Sequence, residues 1–347
     1  MKLQYTRSQV FLGVDGGASG TRALIIDASG AILGAGTGGN ANHAGQGYRS
    51  AVSHITHAVH GACREAQIAL EHISFAHFAV AGNDVEDDQI QLTKLLAEEL
   101  PDLKFYVTND VWAGLRAGSI DGTGIAVNCG SGAGAVGRSP TGAQQMIADL
   151  GYMFGDSGGG NQIGVDAIRA VVRAWDGRGD ATSLTDAVLN LVGLSDTAAL
   201  YLALYREQVG AALIRQCTRL VFQCAASGDT VAIEILTRIG AEFGRSAVAL
   251  ARRLTMQDLA FPFVLTGGAI RTLQSPLVEA AVAQLQSVCP RCRPTSPRLM
   301  PVAGAALLAL DASEVPVTEE HFLRLSAQGQ GWHPEERYAW SGEESQS

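Results

Sequence analysis

The sequence lacks several features that would have narrowed its function at once. No cluster of five or more Lys or Arg occurs, and 25 basic side chains stand against 34 acidic ones, for a net charge of −9. Nucleic-acid binding draws on many basic side chains to neutralise phosphates, so that class of partner is disfavoured. There is no apolar run of about 18 residues, the length a membrane span needs, and no charged leader followed by a short apolar stretch after Met1. Neither a membrane partner nor a signal peptide is expected, and the expected compartment is the cytoplasm. Six cysteines (Cys63, Cys129, Cys217, Cys224, Cys289, Cys292) are scattered along the chain, which reads as reduced thiols and not as a disulfide framework. Only Cys289-Pro-Arg-Cys292 has metal or redox spacing. A zinc site would want a second pair and a redox motif a thioredoxin-like context, so incidental thiols are the preferred reading. Prolines number only 10.

Glycine, by contrast, is plentiful: 41 of 347 residues, against a usual share of about 7%. Without proline and without a three-residue period, this points to backbone that turns sharply or approaches ligands closely, not to collagen or linker. The apolar share of 47% and charged share of 17% describe a globular chain. At about 150 residues per domain, two domains are expected.

Residues 11–36 hold three apolar runs, separated by the loop Asp15-Gly-Gly-Ala-Ser-Gly-Thr21 and the turn Asp27-Ala-Ser-Gly30. That pattern predicts a three-stranded meander. Helical spacing over 48–71, a strand at Phe75–Ala81, a helix over 88–100 and a strand at Phe105–Thr108 follow. The meander then recurs at 124–137, with Cys129-Gly-Ser-Gly-Ala-Gly134 as its loop and Ser139-Pro-Thr-Gly142 as its turn, 112 positions after the first turn. From 161 to 260 the pattern is amphipathic helix, including one long stretch at 198–226; a strand at 261–265 enters Thr266-Gly-Gly-Ala269, and a last helix opens at Val302. Strands alternating with helices favour α/β sheets covered by helices. The expected division is a first domain at 1–115, a second at 116–335 and a polar tail at 336–347.

Both loops place consecutive small residues where backbone N–H groups can converge on an anion such as a polyphosphate. Asp15 beside the first loop fits a Mg²⁺ ion bridging a carboxylate and phosphate oxygens. A pair of tight hairpin turns would need the same glycines, but two such loops in repeated hairpins, one with an acid, favour the ligand reading. There is no G-x-x-x-x-G-K-[ST], and the glycines introduce hairpins where a dinucleotide fold would need a helix. Asn109-Asp110 ends a strand, where α/β sheets place ligand-handling groups, and Asp110 could act as a general base toward a substrate hydroxyl or cap the next helix. Asp156, within Gly155-Asp-Ser-Gly-Gly-Gly160, could bind sugar hydroxyls or a metal-bound water, or serve only a turn. Thr266–Ala269 could face a base or make a strand-to-helix turn.

In this order, Gly13-Val-Asp-Gly-Gly with Gly20-Thr-Arg22, Asn109-Asp110, Gly130-Ser-Gly132, Gly155-Asp156 and Leu265-Thr-Gly-Gly268 resemble the actin-like, sugar-kinase ATPase superfamily. Within it the chain looks like the N-acetylglucosamine kinase branch of the BadF/BadG/BcrA/BcrD ATPase family, over about residues 11–310. The resemblance implies two ribonuclease-H-like domains with ATP in a cleft between them. It assigns Gly16, Gly17, Gly20, Thr21, Gly130, Ser131 and Gly132 to the ATP phosphates and Asp15 to Mg²⁺. Thr266, Gly267, Gly268 and Ala269 would line the adenosine, with Gly304-Ala305 nearby. Asn42, His43, Gly151 and Asp156 would hold the sugar together with Asp110, the catalytic base. Ser131 stands where the family usually has Thr, and Leu150 where the animal enzymes have Trp. The implied reaction is ATP-dependent phosphorylation of an amino sugar, N-acetylglucosamine or glucosamine, to its 6-phosphate, by an enzyme expected to be a homodimer. Two alternatives stay open: the ATPase that activates a 2-hydroxyacyl-CoA dehydratase or benzoyl-CoA reductase, kept in view by Cys129, Cys289 and Cys292, and a non-catalytic sugar-sensing switch.

Overall fold

The computed structural model describes residues 9–148, 150–155, 158–207, 210–270 and 273–329. They form two compact units: one takes the residues up to Val80, Ile90–Thr108 and those from Arg298 onward, the other Ala81–Gln89 and Asn109–Pro297. Among the described residues no single helix is long and apolar enough to cross a membrane.

The first unit is built on β1 (Val10–Gly17), β2 (Gly20–Asp27), β3 (Ile32–Gly38), β4 (Phe75–Val80) and β5 (Phe105–Thr108), in the order β3-β2-β1-β4-β5. β1, β2 and β3 are antiparallel, while β4 pairs parallel with β1 and β5 parallel with β4. Gly17 pairs with Gly20, leaving Ala18-Ser19 as a two-residue hairpin turn. The next turn is held by Asp27, whose Oδ1 accepts the backbone N–H groups of Ser29 and Ala31 and the Ser29 hydroxyl, an Asx-type closure. Helices α1 (Tyr48–Ala66) and α2 (Glu86–Glu99) supply Ile55, Val59, Leu92 and Leu96 to a core shared with Leu12, Ile25 and Phe78.

The second unit repeats the plan. Its strands β6 (Gly124–Cys129), β7 (Ala133–Arg138), β8 (Gln144–Ile147), β9 (Pro262–Thr266) and β10 (Arg293–Thr295) lie in the order β10-β9-β6-β7-β8. β6, β7 and β8 are antiparallel, and β9 and β10 continue in parallel. Each sheet thus has three antiparallel strands and two added in parallel beside the first, the ribonuclease-H-like arrangement that the family resemblance implies. Helices α4 (Gly159–Trp175), α5 (Leu184–Val192), α6 (Thr197–Tyr205), α7 (Ala211–Ala226), α8 (Thr230–Arg253) and α9 (Pro276–Gln286) contribute to its core. The continuous helix expected over 198–226 is instead α6 and α7. Gly210 precedes α7 as its N-cap, and glycine is a poor residue for a helix interior.

After the excursion at Ala81–Gln89, the chain passes to the second unit at Thr108/Asn109, whereas the expected division stood at 115/116. The reason is α3 (Val111–Gly118), which packs on β6, β7 and β9, with Gly114 against the Thr266 side chain and Gly118 against Val264. From Arg298 the chain rejoins the first unit as α10 (Pro301–Ala312) and α11 (Glu319–Gly329). The expected polar tail at 336–347 lies outside the described residues.

Helices meet strands here at backbone contact. A methyl on Gly13 would overlap the backbone of Ala306 in α10, and methyls on Gly34, Gly36 and Gly38 would strike the α1 backbone at Ala62 and Ala66, at Ala58, and at His54 respectively. Overpacking a site that cannot relax costs about 1–3 kcal/mol and occasionally more. Gly36→Ala should therefore lower stability by about 3 kcal/mol, read as an earlier urea transition in fluorescence.

His77 lies in β4, in register with Gly13 and Tyr106, and is 5% exposed. Its Nε2 is 2.9 Å from the Thr108 hydroxyl, and its Nδ1 has no hydrogen-bond partner. Burial pushes its pKa down from 6.5 to about 4. Between those values the unfolded chain binds the proton and the folded chain does not, so stability is lost as pH falls through that window. The loss from this group amounts to roughly 3 kcal/mol. The urea midpoint should fall over that range, and the fall should shrink in His77→Leu.

Candidate active site

In the first unit, Asp15 and Arg22 occupy opposed positions of the β1–β2 hairpin. The Arg22 Nη1 is 3.9 Å from Asp15 Oδ2, and the Asp15 side chain is only 14% exposed. Burial raises the Asp15 pKa to about 6, partly offset by the Arg22 charge. A carboxylate this poorly compensated gains from a cation, and one carboxylate is enough where phosphate oxygens and water complete a Mg²⁺ shell. The residues present fit that ion. Among the described residues no three His, Cys, Asp or Glu side chains converge as a metal cluster.

The segment after β3 carries Asn42 and His43. Asn40 Oδ1 accepts from the Asn42 N–H (2.8 Å), and Asn42 Oδ1 accepts from the Ala44 N–H (2.9 Å). Gln46 Nε2 donates to the carbonyls of Asn40 (2.7 Å) and Asn42 (2.8 Å). His54 Nδ1 donates to the Asn40 carbonyl at 2.6 Å, which fixes its tautomer, since a carbonyl only accepts. The His43 ring stacks on Tyr48 with centroids 4.2 Å apart. This polar segment is thus ordered by its own side chains. Gln46 and His54 are contributors that periodicity did not single out.

Thr21, expected at the ATP phosphates as part of the loop, lies in β2 opposite Gly16. Its side chain is 1% exposed, and its hydroxyl donates to the Gly39 carbonyl at 2.7 Å. Gly16 and Gly17 lie at the hairpin as expected, with Gly16 against the Ala41 methyl and the Gly17 carbonyl accepting from the Ala41 N–H at 3.0 Å. Ala305 and Ala306, in the last helical segment expected near adenosine, pack on Gly13 of β1.

In the second unit, Asn109 and Asp110 stand between β5 and α3. Capping falls to Asn109: its Oδ1 accepts from the Val111 N–H (3.0 Å), and its Nδ2 donates to Asp84 Oδ1 (2.8 Å). Asp110 makes no side-chain capping bond to α3. Asp84 is in turn fixed by Asp88, whose Oδ2 accepts from the N–H groups of Asp84 and Val85. Asp84 also follows a parallel strand, β4, the position rule that singled out Asp110; its isolated carboxylate gave no further signal.

Three of the glycine segments meet in this unit. The carbonyls of Gly130 and Ser131 accept from the N–H groups of Gly160 and Asn161 at the start of α4 (2.7 and 3.0 Å), and the Cys129 carbonyl accepts from Ala269 N–H (3.1 Å). Gly159 has a positive φ of 76° and lies against Gly132, while Gly267, with φ 105°, lies against Cys129. The first N–H groups of α4 are therefore committed to the loop, and the Gly130–Gly132 backbone is clamped from both sides. Thr266 is buried against Gly114, whereas Gly268 faces open space. Gly151 also borders open space, beside exposed Leu150, Met153 and Phe154. Asp156 lies outside the described residues.

Residues 12–309 match the BadF/BadG/BcrA/BcrD ATPase family. The chain belongs to that family. It is 25% identical over 317 residues to the N-acetyl-D-glucosamine kinase of Dictyostelium discoideum, covering 88% of this chain and 99% of the relative. It is 29% identical over 205 residues to the N-acetylmuramic acid/N-acetylglucosamine kinase of Clostridium acetobutylicum, covering 59% of this chain and 67% of that protein. A solved structure from Chromobacterium violaceum, proposed to be an N-acetylglucosamine kinase, aligns with a TM-score of 0.64 at 26% identity, over 87% of this chain and 99% of its own. The family's use of ATP agrees with glycine loops whose backbone is free of bulky side chains.

Because Asn109 closes the start of α3 and ties it to Asp84, Asn109→Ala should destabilise the second unit by about 1–2 kcal/mol. Asn109→Asp, which keeps the accepting oxygen but loses the amide donor and faces Asp84, should retain only part of that. Chemical denaturation of the two variants checks the order.

Proposed function

We propose that this chain transfers the γ-phosphoryl group of Mg·ATP to the primary hydroxyl of an amino sugar, N-acetylglucosamine or glucosamine, giving the 6-phosphate. The observation that carries this reading is the position of Asp110 after β5, with helix capping delegated to Asn109. A carboxylate relieved of a capping role is suited to take the proton of a hydroxyl as its oxygen attacks phosphorus. Relatives named as N-acetylglucosamine kinases, one matched over 88% of the chain, support the substrate class.

In this reading Asp110 is the general base. Backbone N–H groups of the Gly16–Gly20 hairpin and of Gly130–Gly132 hold the phosphates, and Gly267, Gly268 and Ala269 line the adenosine. Asn42, His43, Gly151 and Asp156 contact the sugar. Asp15 holds the Mg²⁺ that arrives with ATP, and the ion's chemistry is neutralisation of charge on the phosphate oxygens. Fixed backbone amides need no reorganisation as charge shifts during transfer.

Under the alternative of an ATPase that works through an iron–sulfur cluster, ADP release would not depend on sugar.

A coupled ADP-release assay over N-acetylglucosamine, glucosamine, N-acetylmuramic acid, glucose and no sugar tests the proposal. Release should require an amino sugar, and sugar-independent release would overturn it. Asp110→Asn should lower kcat on the order of 10²–10⁴-fold, the usual worth of general-base catalysis, while the sugar KM stays within a few-fold. Near-wild-type turnover would remove Asp110 from the role.

A further inference from the structure

Thr21 sits where the first glycine hairpin meets the segment that carries Asn42. In β2 it pairs with Gly16 on one side and with Gly38 on the other. Three contacts join the hairpin to the segment: the Thr21 hydroxyl donates to the Gly39 carbonyl (2.7 Å), the Ala41 N–H donates to the Gly17 carbonyl (3.0 Å), and the Ala41 methyl lies against Gly16. Beyond them the Asn40 carbonyl takes Gln46 Nε2 and His54 Nδ1, and Gln46 continues to the Asn42 carbonyl. The Ser50 hydroxyl donates to Gln46 Oε1 at 3.1 Å, setting which way that amide points. A path of hydrogen bonds joined by the backbone of residues 39–42 therefore runs from the hairpin to Asn42 within one unit.

The chemistry of Thr21 decides its part in that path. A hydroxyl has a single proton to give, and an ionised phosphate only accepts. Thr21 has given that proton to Gly39 and is 1% exposed. To hold a phosphate, the buried Thr21 hydroxyl would have to break its 2.7 Å bond to the Gly39 carbonyl. The hairpin's phosphate-binding capacity then rests on backbone N–H groups, and the threonine does something else.

We propose that Thr21 is a positioning residue that couples nucleotide binding at the Gly16–Gly20 hairpin to sugar binding at Asn42, acting through the Gly39 carbonyl and not as a phosphate ligand. The identity of the two ligands rests on the phosphoryl-transfer reading above; the coupling itself does not. A shift of the hairpin on binding phosphate moves Gly39 and Ala41, and with them the backbone that Gln46 and His54 fasten around Asn42. Coupling of this kind is reciprocal, so sugar and nucleotide each tighten the other by the same factor.

The test compares the full wild-type chain with Thr21→Val, which keeps the shape and loses the proton, and Thr21→Ser, which keeps the proton. Thr21→Ala serves if valine cannot be seated. Calorimetry would measure Mg·ADP affinity with and without saturating N-acetylglucosamine. In Thr21→Val, affinity for Mg·ADP alone should stay within about threefold, while the factor by which sugar tightens it falls on the order of tenfold, about the worth of one hydrogen bond; Thr21→Ser should restore most of that factor. Loss of Mg·ADP affinity without sugar, or an undiminished factor in the valine and alanine variants, would overturn the proposal. Hydrogen exchange with Mg·ADP alone separates this outcome from a wrong choice of sugar. Mg·ADP should slow exchange in peptides covering 39–47 of the wild type, but in Thr21→Val only in those covering 13–22. Equal slowing of 39–47 in both proteins, or none in the wild type, would overturn the coupling even if the kinase assay succeeds.

Discussion

The first unit depends on a helix and a strand that touch along their backbones. Gly34, Gly36 and Gly38 present no side chain to α1, and the helix answers with Ala66 and Ala62, Ala58 and His54 at four-residue intervals. The match is metrical. Two residues of strand advance about 6.6 Å, and four residues of helix about 6.0 Å, so each glycine meets the next turn of α1. This contact holds the end of β3 in place, and the segment that leaves it carries Asn42. The position of a candidate ligand residue is therefore set by a packing rule that operates several residues upstream.

The same rule recurs in the second unit. Gly164 lies against the Ile214 backbone, Gly240 against Leu277 and Gly244 against Gln284 and Ala281, pairing α4 with α7 and α8 with α9. The glycine surplus thus has two uses that composition cannot separate. At Gly130–Gly132, Gly159 and Gly267 it lets loops converge; at 34–38, 164, 240 and 244 it brings whole elements together.

The strands, the repeated meander and most helices were legible because each rests on local spacing and turn chemistry: the apolar run Phe11–Val14, the Asx turn at Asp27, the second turn at Ser139–Gly142. The point of passage at Thr108 was not: Asn109 was readable as the end of a strand, but nothing local marks it as the start of the other unit, and Gly114 and Gly118 give it away only once Thr266 and Val264 are seen opposite them. For the candidate site, residue identity was readable and residue duty was not. Asp110 followed from the end of a strand, but Asn109, Asp84 and Asp88 divide the capping work by contacts spanning up to 25 positions. Thr21 shows the same limit from the other side, since a hydroxyl in a glycine loop gives no sign of whether it faces ligand or interior.

The division of labour at positions 109 and 110 has an evolutionary reading. Were one acid both to cap α3 and to serve the chemistry proposed for position 110, changing it would unfold as well as inactivate. With the cap on Asn109, the side-chain bond that closes α3 does not depend on which residue stands at position 110. On the chemistry proposed for Asp110, a substitution there would separate holding the ligands from turning them over, which is the difference between a receptor and an enzyme.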